Sequence, residues 1–177
     1  TVPPFLIENQ KLDLGLNFAV NTFGVDDVIV TMEKEASIGL TGITNWTLPS
    51  ENTPGMKIIR ETLEKKFRRP EDRGASYILG WMNTWQTKMV VEQTLKRVGK
   101  WEKVTPAELR KTLETWKKVD INGLGIMEYG LNQRGVTESR IVQVQKVKVG
   151  DKEELRGVAL TDMRKVPRLV PPEWEKP

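Results

Sequence analysis

Cysteine and histidine are both absent from the 177 residues. Without cysteine there is no disulfide, no thiolate nucleophile and no cysteine metal site. Without histidine the commonest general base and metal ligand is missing. Long apolar runs are lacking too: no stretch reaches the roughly 18 residues that mark a membrane-crossing helix. No basic-then-apolar leader opens the chain, so no signal peptide is expected in it, and a mature secreted protein would lack one as well. Charge is nearly balanced, with 28 Lys and Arg against 24 Asp and Glu interspersed along the chain. That pattern reads as solubility and argues against nucleic acid as a partner.

Sequence signatures of catalysis are missing as well. There is no G-x-S-x-G, no phosphate loop and no dinucleotide fingerprint. Gly123-Leu124-Gly125 lacks a third glycine and reads as a turn. The adjacent carboxylates Asp26-Asp27 and Glu153-Glu154 read as solvated surface. Lys65-Lys66-Phe67-Arg68-Arg69 is flanked by Glu61, Glu64, Glu71 and Asp72, and reads as a helix end whose cations complement the dipole. The expectation is a protein that is not an enzyme and that holds neither cofactor nor metal.

The hydrophobic fraction of 38% is enough for a real core, arranged as alternating helices and strands. A helix is expected over 5–14, ending at Gly15, then a strand over 16–20. Asp26 and Asp27 favour a helix start over 28–35, and a strand is expected over 38–43. After a polar loop over 45–55, Met56, Ile59, Leu63 and Phe67 mark one face of a helix. The longest helix spans about 76–98, and its apolar stripe is too broad for a surface helix. Thr105, Pro106 and Glu108 have the spacing of a capping box. A turn over 120–125, a strand over 126–131 and an alternating strand over 140–149 follow. Gly150-Asp151 turns the chain back into 155–160, and four late prolines mark an extended tail. Strand and helix in series indicate an α/β layer fold with parallel pairing.

Trp81 and Trp85, one helical turn apart, read as core. Trp46 stands in a polar, proline-containing loop after a strand, so both cleft lining and local packing are open to it.

The order of motifs resembles the type I periplasmic binding proteins, the receptors of branched-chain amino acid and amide ABC importers. Tyr77-Ile78-Leu79-Gly80-Trp81, running on to Gln93-Thr94-Leu95-Lys96-Arg97-Val98-Gly99-Lys100, is similar to that family's long "Y-x-x-G-W" helix. Val104 to Glu114 resembles its following helix, Val119 to Gly125 its "f-D-x-G-G-L" turn, and Arg140 to Gln145 its terminal strand. Leu14 to Phe18, then Asn21 and Asp26-Asp27, resemble a second-lobe strand, cleft loop and helix start. Asn132-Gln133-Arg134-Gly135 departs from the Asp-His-Arg-Gly of many relatives.

The resemblance implies a Rossmann-like, three-layer α/β fold of which only the second half is present. It assigns 1–72 to the second lobe, 73–136 to the first and 137–177 to the second again. It further implies an extracytoplasmic solute receptor acting by hinge closure, with a membrane permease as partner. The solute would be a branched-chain amino acid, an amide or an aromatic acid. Asn21, Thr22 and Phe23 would line the cleft, with Trp46 and Tyr77 as further candidates. A missing N-terminal half or a homodimer would cover the open sheet edges. A ligand-sensing or protein-interaction module of the same fold is the alternative.

Overall fold

The computed structural model describes residues 2–21, 25, 27–66, 74–129 and 134–166. Helix α1 (Pro3–Lys11) opens with two prolines, whose fixed φ and missing N–H suit a first turn. Its C-terminal side turns through Asp13 and Gly15, both at positive φ. The expected strand over 16–20 shortens to β1 (Ala19–Val20). The reason is local: the Asn9 side-chain amide occupies the backbone of Leu16, accepting from its N–H at 2.9 Å and donating to its carbonyl at 3.1 Å. Leu16 therefore has no ladder to join.

Helix α2 (Asp27–Glu33) runs into a 3-10 turn over Lys34–Ser37, so β2 begins late, at Thr41–Thr44. Gly42 is required there, because a Cβ would lie 2.4 Å from Val25 Cγ2. Helix α3 (Pro54–Lys65) starts two residues before the sequence reading begins it, since the Thr53 hydroxyl accepts from the Met56 N–H. Helix α4 (Ala75–Val98) ends on left-handed Gly99. Helix α5 (Pro106–Leu113) carries half of the expected capping box. Thr105 accepts from the Glu108 N–H, while the Glu108 carboxylate binds Lys111 and Arg97 instead of closing the box.

The strands β3 (Val119–Asp120), β4 (Ile126–Tyr129) and β5 (Arg134–Val136) form one antiparallel sheet. The other sheet runs β1-β2-β6-β7, with β6 at Glu138–Val149, β7 at Lys152–Ala159 and β8 (Arg164–Lys165) on the start of β6. Only β1 and β2 pair in parallel among the described strands. The rest are antiparallel: Gly150-Asp151 returns β6 directly into β7, whereas β2 and β6 meet across the long stretch of chain that builds the smaller sheet and its helices.

Two hydrophobic cores result. In the first, Leu6, Val30, Leu40 and Val144 bring α1, α2 and the larger sheet together. The second is bigger and packs α3, α4 and the smaller sheet around Ile59, Leu63, Ile78, Met82, Ile121 and Leu124. Helix α3, which the sequence reading groups with 1–72 in one lobe, buries Met56, Ile59 and Leu63 in the second core. The chain thus passes between cores near Asn45 and returns near Thr137. No helix among the described residues is long and apolar enough to cross a membrane.

Candidate functional site

Both passages between the cores lie at one end of the larger sheet. β2 runs out through Thr44, β6 runs in antiparallel, and Thr44 stands opposite Arg140. The loop after Thr44 docks on the smaller sheet's turn. Thr47 N–H donates to the Leu124 carbonyl and Gly55 N–H to the Asn122 carbonyl, both at 2.8 Å. The turn itself is set by Asp120, whose carboxylate accepts from Gly123 N–H at 2.7 Å, and by positive φ at Asn122 and Gly123.

Between these elements lies a cavity of about 320 Å³, within the range of small-ligand sites. Its polar wall carries the carboxylates of Glu51, Asp120 and Glu138, the Arg140 guanidinium and the Asn45 amide. Leu124 and Met163 supply apolar surface. Asn45 Oδ1 and Arg140 Nε, atoms of two lining residues, are buried without a hydrogen-bond partner. Arg140 also grips Glu51 in a two-pronged ion pair at 2.7 and 2.5 Å. Burial pushes the Glu51 carboxyl up. Hydrogen bonds from Arg140, the Leu48 N–H and the Thr47 hydroxyl outweigh that, and its pKa falls below the ordinary value. No group of three or more metal-ligating side chains occurs among the described residues.

Of the solute-contact candidates from the sequence that lie among the described residues, Asn21, Trp46 and Tyr77, none is among the residues lining this cavity. Asn21 is exposed just past β1, and Thr22 and Phe23 lie outside the described residues. The parallel register of Val20 with Gly42 nonetheless puts Asn21 level with Ile43, at the same end of the sheet as Asn45. Trp46 is only 5% exposed and packs in the second core, while its carbonyl meets Arg140 Nη2 at 3.4 Å. Tyr77 is half-buried on α4, edge-on to Trp81. Sequence reasoning misses Arg140 and Glu51, although one signal was there. Arg140 shares the parity of Val142 and Val144, both fully buried, so it is a charge on the inward face of a strand.

Comparison with solved structures decides the fold. A branched-chain amino acid ABC transporter protein from Thermus thermophilus with bound valine superposes at a TM-score of 0.70 and 15% identity. The match covers 93% of this chain and 43% of that one. The fold is that of a type I periplasmic binding protein. A solute-binding protein from Rhodopseudomonas palustris in complex with p-hydroxybenzoic acid matches this receptor fold at TM-score 0.66 and 15% identity, covering 93% and 41%. A leucine-binding protein from Thermotoga maritima gives 0.53 and 18%, covering 86% and 41%. The chain therefore spans about two-fifths of the length of these receptor-fold neighbours. No protein-family profile and no curated protein matches it.

Proposed function

We propose that this chain is the second half of a solute receptor that delivers a small molecule to an ABC importer outside the cytoplasm, binding it without transforming it. The observation that carries the reading is the cavity at the junction of the two cores, lined by Asn45, Glu51, Asp120, Glu138 and Arg140. Neighbours of this fold hold valine and p-hydroxybenzoic acid, which supports a ligand of that size: an amino acid, an amide or an aromatic acid.

In this reading the solute touches groups from both core-centred halves of this chain, the one around the larger sheet and the one around the smaller, and shifts the population toward a closed form, which a membrane permease engages. Asn45, in the polar wall, hydrogen-bonds the solute's polar end through its side-chain amide. Asn21, Thr22 and Phe23 are the further solute contacts of this reading, since Asn21 directly follows β1 and open α/β sheets hold ligands at strand ends. Trp46 and Tyr77 are the weaker solute-contact candidates of this reading, since both pack in or against the second core. A thermal-shift screen of branched-chain amino acids, short amides and aromatic acids on the longest native form of the protein tests the reading, since a ligand of the native state raises the melting temperature. A panel with no shift removes it. Thr22→Ala should weaken a hit about tenfold, the worth of one hydrogen bond. Calorimetry that finds equal affinity excludes the loop.

A further inference from the structure

We propose that Glu51 and Arg140 are the positioning residues that fix the angle between the two halves, and with it the shape of the cavity they share. Arg140 belongs to β6, the central strand of the larger sheet, and its side chain is only 10% exposed. Glu51 belongs to the loop that docks on the smaller sheet's turn. The pair therefore ties one core to the other, across 89 residues of sequence, beside both chain passages.

Each partner is held in place by its own half. The Glu51 carboxylate accepts from the Leu48 N–H at 2.6 Å and the Thr47 hydroxyl at 2.8 Å. Arg60 of α3 staples the same loop, donating to the carbonyls of Pro49 and Glu51 and to Asn52 Oδ1. Arg140 is fixed by the ladder of β6 with β2. Two parallel charge-assisted bonds between rigidly mounted groups resist rotation as well as separation, which a single contact does not. A second ion pair, Lys118 with Glu138 at 3.1 Å, spans the same junction, but its lysine is 69% exposed and contributes little constraint. For affinity the inference rests on the cavity being the solute site. For the angle between the halves it does not.

The chain has no cysteine, so Lys96→Cys and Asp151→Cys, one exposed site on each half, give clean attachment points for spin labels. Electron–electron distance distributions would be recorded on the longest native form for the native pair, Glu51→Gln, Arg140→Lys and the milder Thr47→Val. Arg140→Lys keeps the charge and loses the fork, so it separates orientation from attraction. Circular dichroism confirms that each variant is folded. The expected result is a distribution at least about twofold broader for Glu51→Gln and Arg140→Lys, with a smaller effect for Thr47→Val. If the competent arrangement falls to about one-tenth of the population, affinity for valine, leucine or p-hydroxybenzoate falls about tenfold. Folded variants with native widths overturn the proposal, as does broadening in Thr47→Val alone. Broadened variants of a protein that binds none of the three probes support the positioning role and count against the receptor reading.

Discussion

Glu51 links acid sensitivity to the junction. Its carboxyl titrates below the ordinary range because Arg140, Leu48 and Thr47 together outweigh its burial. A depressed folded pKa gives stability that is present above the unfolded value and is lost as pH falls through the folded one. The melting temperature should therefore drop below about pH 4, and Glu51→Gln should be less stable than the native chain at pH 7 with a shallower acid decline. Calorimetric melts of both proteins from pH 7 to 3 check this. In the second core, Thr94 donates to the Thr112 hydroxyl at 2.7 Å, both side chains being buried. Thr94→Val should cost about 1–2 kcal/mol in urea unfolding, since it removes one bond and leaves Thr112 with fewer partners.

At the scale of elements, two glycines in helices answer oppositely to one substitution. Gly55, in the first turn of α3, would place a Cβ 2.6 Å from Leu124 Cγ and 2.7 Å from the Asn122 carbonyl oxygen. That oxygen is backbone and cannot yield easily, so Gly55→Ala should destabilise by about 1–3 kcal/mol. Gly80, exposed in α4, has nothing within 4 Å, so Gly80→Ala should stabilise by roughly 1 kcal/mol through helix propensity. Urea titration of the pair checks both signs.

The same contrast explains what could be read from the sequence. Thr105-Pro106 announces α5, and the alternation after Arg140 announces β6, because caps and strand parity are local. Thr53-Pro54 repeats the Thr105-Pro106 signal, yet a polar loop around it hides it. The short β1 depends on Asn9 reaching Leu16, and the cavity on Glu51 meeting Arg140. Such encounters are decided by tertiary packing and leave no spacing in the sequence to find.

Across the whole molecule, the described surface is unevenly apolar. Phe5 is 65% exposed, and Leu12, Leu14 and Leu16 nearby on the chain are exposed as well, while β1 pairs with β2 alone among the described strands. In the larger neighbours more than half of the chain lies beyond the matched part. The isolated 177 residues should therefore associate as concentration rises, and Phe5→Glu with Leu12→Lys should reduce that association in sedimentation velocity runs.

The two passages between the cores, near Asn45 and Thr137, sit side by side at one end of the larger sheet. Two adjacent strands of backbone define a single line about which one half can swing. Such a swing leaves the ladders and helices inside each half intact. Hydrogen–deuterium exchange would then register opening only at the few amides flanking that line, while the rest of the molecule kept the same protection throughout.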